Sequence, residues 1–234
     1  MSLRMLAAAA LSLAASLSSA AEEAIQPKWT ESTVQIGEGD GALYGSYIVP
    51  GAYRPEFDAV LILSGSGPTD RDGNQTAMKN DSLKMVAMAL AEDGIASLRV
   101  DKRGVAASVK AAAREEDLRF ETYIDDAKSW LAFLKAQPGV KRVFVIGHSE
   151  GALIGAVVAQ SPDVAGYVSL AGASLKASDI LRRQLAANPA ALALAEPTLK
   201  KLEAGQIDPD FDPRLGALFR PGRWLGSPCW CRCR

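Results

Sequence analysis

The chain has 234 residues, with 26 basic and 27 acidic side chains and a formal net charge of −1. That balance leaves no basic excess to neutralise phosphates and excludes a dedicated nucleic-acid binder. At 48% apolar and 23% charged residues the sequence is not a disordered chain, and its length suits one domain with a sizeable core and no internal repeat.

Residues 1–20 have the layout of a secretory signal peptide. Arg4 supplies the positive start, residues 5–15 are a short run rich in Leu, Ala and Ser, and Ser18, Ser19 and Ala20 are the small residues before cleavage after Ala20 or Ala21. An attached Ala-rich helix is the competing reading, and the acidic, polar stretch after Ala21 argues against it. The apolar run is shorter than the roughly 20 residues a bilayer crossing needs. The expected product is therefore exported, periplasmic or extracellular, with no integral membrane segment.

Residues 32–36 and 42–49, separated by Gly37-Glu38-Gly39-Asp40-Gly41, read as an antiparallel hairpin. Ala59-Val60-Leu61-Ile62-Leu63 is too short for a helix and apolar on both faces, as a buried parallel strand requires. Residues 95–100, 143–146 and 164–170 repeat that pattern. Helices fill the gaps. Asn80, Asp81 and Ser82 offer capping oxygens before residues 83–90, and Gly94 marks a stop. Phe120, Tyr123, Ile124, Ala127, Trp130, Leu131 and Leu134 form one apolar stripe. Residues 152–159 are small and apolar all round, so they form a buried helix.

Strands alternating with helices give an α/β class with a mostly parallel sheet covered by helices on both faces. After residue 170 no strand is expected. Residues 178–188 and 190–203 read as two further helices punctuated by Pro189, Pro197 and Gly205. The domain plan is thus a core over 21–172, a helical segment over 173–220, and a tail over 221–234.

That tail, PGRWLGSPCWCRCR, holds all three cysteines. No thiol lies upstream, so no disulfide frames the fold, and three alternate thiolates fall short of the four ligands of a structural zinc site. Neither a metal nor a cofactor is expected. Arg, Gly, Cys and Trp rise here while acids and periodicity vanish, which is what reading a GC-rich gene out of frame after Arg220 produces.

The chemistry concentrates after the strand at 143–146. Gly147-His148-Ser149-Glu150-Gly151 sits between that strand and a helix, the setting of a nucleophile elbow, where flanking glycines permit the tight turn that lifts the serine hydroxyl. Ser149 is the candidate catalytic nucleophile; a serine capping a buried helix is the competing reading. A tetrahedral oxyanion needs preorganised donors. One is the N–H of Glu150. The other is expected from the loop 64–74, at the N–H of Ser66. That loop lacks the Gly-Lys-Ser/Thr of a phosphate-binding P-loop; a plain surface turn is the alternative.

Three blocks together resemble the α/β-hydrolase superfamily, in particular exported bacterial esterases and serine-aminopeptidase-like members. They are Gly65 to Asn74 (GSGPTDRDGN), Asp101 to Ser108 (DKRGVAAS), and Gly147 to Gly151 (GHSEG). The resemblance covers roughly residues 32–220. It implies a serine hydrolase forming an acyl-enzyme with a small-molecule ester or peptide-like substrate, and a helical cap over 173–220 that shapes the pocket. Two departures stand out. Ala106 replaces a glycine at a turn needing positive φ. The superfamily's triad also runs Ser, then Asp or Glu, then His, yet His148 is the sole histidine and none follows Ser149. Neighbouring side chains on so sharp a turn point different ways, so His148 is not expected to serve as base. Lys176, Lys200 and Lys201 read as solvated, and Asp179 as a first-turn helix acid. The expectation is a C-terminally truncated α/β-hydrolase with late strands missing and turnover impaired. A non-catalytic module holding a small acyl or peptidyl ligand is the alternative.

Overall fold

A computed structural model of the chain describes residues 28–51, 55–114, 118–206 and 208–219. The expected signal peptide and the tail at 221–234 lie outside the described residues.

A hairpin opens the fold, with β1 (Trp29–Ile36) paired antiparallel to β2 (Leu43–Pro50). Then come β3 (Phe57–Leu63), α1 (Ser82–Glu92), β4 (Ala96–Val100), α2 (Phe120–Lys135), β5 (Val140–His148), α3 (Glu150–Val158) and β6 (Val164–Leu170). Beyond the sheet lie α4 (Ala177–Leu185), α5 (Pro189–Glu203) and α6 (Gly216–Phe219). The six strands are ordered β1-β2-β4-β3-β5-β6, with β2 antiparallel to both β1 and β4 and the pairs β4–β3, β3–β5 and β5–β6 parallel.

Strand alternation explains why the run at 59–63 is apolar throughout. Ala59, Leu61 and Leu63 face one cluster, with Leu98, Val145 and the buried stripe of α2. Val60 and Ile62 face the other, with Ile48, Ile146 and the Leu83 and Ala87 side of α1. Both faces are therefore dry at the centre, as a parallel sheet demands. In α2 the buried residues are Phe120, Ile124, Ala127, Trp130, Leu131 and Leu134, with Tyr123 partly buried.

Two local differences have simple causes. β5 begins three residues earlier than its apolar core suggests, because Arg142 forks onto Asp58 of β3 at 2.9 and 2.6 Å and carries the pairing outward. At the start of α1, Asp81 occupies the cap position in a left-handed conformation (φ +50°) without a side-chain capping bond. The cap comes instead from Asn80, whose Oδ1 accepts the Ser82 N–H at 3.0 Å.

The sheet ends at β6 among the described residues, and Val168 on that edge strand is 48% exposed. Past it, α4, α5 and α6 gather a separate cluster around Ala195, Leu199, Leu202, Leu215 and Phe219. No helix among the described residues is long and apolar enough to cross a membrane.

Candidate active site

Parallel strands bring the loops after β4, β3 and β5 to one end of the sheet, in that lateral order. The three sequence blocks occupy these three loops and meet there, at the carboxyl ends of the strands where open α/β sheets hold ligands.

Ser149 joins β5 to α3 with φ +52° and ψ −114°. A side chain in that region is strained, which only a crowded, well-fixed turn can hold. The crowding is steric. A Cβ on Gly147 would lie 2.2 Å from the Gly151 carbonyl oxygen, and one on Gly151 would lie 2.4 Å from the Leu63 oxygen. Only glycine fits either place. The Ser149 N–H donates to the Leu170 carbonyl at 2.9 Å, tying the turn to the end of β6. Glu150 opens α3, so its N–H belongs to the first turn, where the helix itself supplies no acceptor.

The loop after β3 lies against this turn. A Cβ on Gly65 would be 3.0 Å from His148 Nδ1 and 3.3 Å from Ser149 Cβ. The next residue, Ser66, has a carbonyl that accepts the Thr69 hydroxyl at 2.8 Å, and its N–H has no acceptor among the described residues. Further along, Asp70 Oδ1 accepts the N–H groups of Asp72 and Asn74 at 2.9 and 2.8 Å, folding the loop on itself.

Asp101, at the end of β4, holds the blocks together. Its carboxylate, 1% exposed, accepts the Arg71 N–H at 2.8 Å and the Arg71 guanidinium at 2.6 Å, and takes the Ala107 N–H at 3.1 Å. Ser108 Oγ accepts the Tyr44 N–H at 2.9 Å and fastens the same turn to β2. Ala106 adopts φ +48°; the turn keeps the conformation that glycine would hold without strain. Arg103 forks onto Asp126 of α2 at 3.0 and 2.6 Å, and that hydrogen bond raises the guanidinium pKa further. Behind them Arg99, 1% exposed, joins Asp72 of the loop to Glu31 of β1 at 3.0 and 2.5 Å.

A cavity of about 840 Å³ opens at this point. Ser149, Glu150 and Ser66 line it together, with apolar side chains from Leu153 of α3 and from Ile180 and Leu181 of α4. The three predicted site residues are thus brought together. His148 is exposed and is not among the lining residues; its ring lies beside Gly65. Asp179 is in the first turn of α4, as expected, and sits 3.6 Å from Arg182. Lys201 pairs with Asp208 at 2.7 Å. Asp179, Lys176, Lys200 and Lys201 all lie outside the lining. No group of three or more His, Cys, Asp or Glu side chains suited to a metal occurs among the described residues.

Sequence reasoning missed Lys102. It lines the cavity beside Ser66 and Ser149, and its ammonium donates to the Gly65 carbonyl. Its position immediately after a buried strand, inside the second block, was the available signal.

A family model described as serine aminopeptidase, S33, matches residues 78–213. The chain belongs to the S33 serine aminopeptidase family of hydrolases. Esterase EstD of Thermotoga maritima is 32% identical over 143 residues, which is 61% of this chain and 33% of that relative. This S33 member thus spans about a third of the length of that curated relative. Est1E of Butyrivibrio proteoclasticus, solved with ferulic acid, superposes with a TM-score of 0.51 at 20% identity, covering 64% of this chain and 56% of that one. GrgF of Penicillium sp. sh18, an alpha/beta hydrolase, gives 0.51 at 20% identity over 78% and 61%. These likenesses establish the α/β-hydrolase fold of this S33 chain.

Proposed function

We propose that this chain is a carboxylic-ester hydrolase whose nucleophile is Ser149. The Ser149 oxygen attacks the ester carbonyl carbon as its proton passes to water, and the departing alkoxide takes a proton back from water. The N–H groups of Glu150 and Ser66 stabilise the charge on the carbonyl oxygen. Collapse releases the alcohol, and water then frees the acid from the acyl-enzyme. The observation that carries this reading is the positive φ of Ser149 at a strand-to-helix turn, in one cavity with Ser66 and Glu150. The name of EstD, an esterase, favours esters over peptides.

The same site supports slow turnover. Lys176, Lys200, Lys201 and Asp179 do not line the cavity, and the one histidine lies outside it. With no imidazole among the described residues that line the cavity, the hydroxyl is weakly activated; triad deletions elsewhere leave roughly 10³ to 10⁴ over the uncatalysed rate. Hydrolysis of 4-nitrophenyl acetate by the parent and by Ser149→Ala tests the proposal. A small rate that the substitution abolishes supports it, and equal rates refute it. Saturable binding of the ester with no release of nitrophenol in either protein favours the second reading, a pocket that holds an acyl ligand without cleaving it. Export, inferred from residues 1–20, belongs to this proposal as well. N-terminal sequencing of secreted product should begin at Ala21 or Glu22.

A further inference from the structure

Resting on Ser149 as nucleophile, we propose that Lys102 is a positioning residue for the oxyanion donor: it orients and polarises the Gly65–Ser66 peptide from behind. The geometry follows from strand order. β3 lies between β4 and β5. The loop leaving β3 is therefore flanked on one side by Lys102, just past the end of β4, and on the other by the turn at Ser149. Gly65 makes both contacts. Its carbonyl accepts the Lys102 ammonium, and its Cα side packs on His148 and Ser149.

In a trans peptide the carbonyl of one residue and the N–H of the next point in opposite directions. A donor that fixes the Gly65 oxygen toward Lys102 therefore fixes the Ser66 N–H away from it. A cation on that oxygen also draws electron density from the amide and strengthens its N–H as a donor, because linked hydrogen bonds polarise one another. The neighbouring peptides are tied separately, by the Ser66 carbonyl's bond to Thr69 and the Ser64 hydroxyl's 3.3 Å bond to the Thr69 oxygen. Lys102 thus prepares the Ser66 donor before any charge develops, as an oxyanion site requires.

The test uses phenylboronic acid, which does not need turnover. The Ser149 oxygen bonds to boron, its proton passes to solvent, and the resulting tetrahedral boronate places an anionic oxygen where the donors converge. Lys102→Met should weaken boronate affinity by about tenfold or more, below the 10² to 10³ of losing a donor outright. Lys102→Arg should restore it to within about threefold, since arginine donates to a carbonyl but cannot take up a proton. The Gly65 carbonyl carbon and Ser66 nitrogen resonances should move in the methionine variant and return toward the parent in the arginine variant. If the methionine variant does not fold, Lys102→Leu takes its place. Unchanged affinity in Lys102→Met, or arginine as weak as methionine, overturns the inference while leaving Ser149 standing. If Ser149→Ala binds the boronate as tightly as the parent, both fall.

Discussion

The sheet and the helices that follow it are held together by opposite means. In the sheet, apolar side chains fill most of both faces, and buried ion pairs gather near the carboxyl end of β4. There Asp101 and Arg99 are each 1% exposed and brace the loops of the candidate site. In the helices after β6 the apolar cluster is small and separate, and α4 is joined to α5 by Arg182, which reaches Glu196 at 3.0 Å and Glu203 at 2.6 Å in partly exposed positions. The same arginine–carboxylate pair thus does two jobs. Buried, it fixes the geometry of a site, because a lone charge left there is strongly destabilising. Near the surface, it joins two helices with a modest contribution.

The sharpest break in this comparison comes from a single methyl group placed in each region. Gly147→Ala would put a Cβ 2.2 Å from the Gly151 carbonyl, backbone against backbone with no rotamer to yield. A loss of about 4 kcal/mol or more, with the elbow opened, is expected in urea unfolding. Gly205→Ala, just past α5, meets nothing within 4 Å and suffers only the strain of φ +75°, about 1 kcal/mol. Equal losses would mean that the elbow is not sterically held.

Next in size are core truncations. Leu98 in β4 and Leu199 in α5 are both fully buried, and either leucine-to-alanine change removes about 2–5 kcal/mol of local packing. The difference lies in where it is felt. Leu98→Ala should lower hydrogen-exchange protection across β3, β4 and β5 together. Leu199→Ala should release the amides of α4 and α5 while those of β5 stay protected, because its cluster is separate. Release of the β5 amides by Leu199→Ala would show that the two clusters open as one.

Sequence patterns carried the sheet and the elbow well because burial on both faces writes continuous apolar runs, and because a glycine-flanked serine after such a run has few other uses. Asp101 was legible as part of a block but not as its hub. Nothing in a one-dimensional reading says that one carboxylate takes the backbone and side chain of Arg71 and the backbone of Ala107. Lys102 was hidden for the same reason: its role depends on β3 lying between β4 and β5, a lateral order that chain order conceals. The departure at Ala106 was read correctly as falling on a positive-φ turn, and the strain is present at φ +48°. Ala106→Gly should therefore stabilise the protein by about 1 kcal/mol, seen as a raised urea midpoint. No gain would mean that the turn relaxes around alanine.

The smallest expected effect is a pH window confined to the helices after the sheet. The Arg182 hydrogen bond holds the Glu203 carboxyl at about 2 and lowers that of Glu196, while Lys201 and Thr198 lower that of Asp208. A carboxylate whose pKa is depressed by folding adds stability above its unfolded value, near 4.3 for Glu. That stability declines as pH falls through the folded value. Protection of the α4 and α5 amides should accordingly be flat above about pH 5 and fall between about pH 4.5 and 2. The change should be small because each pair reaches solvent through at least one partner. Arg182→Met should flatten the portion of that dependence belonging to Glu196 and Glu203 and leave the Asp208 portion in place, since Asp208 answers to Lys201 and Thr198. A profile unaltered by the substitution would mean that the apolar cluster alone joins the helices, and the contrast between the two regions would then be one of area rather than of means.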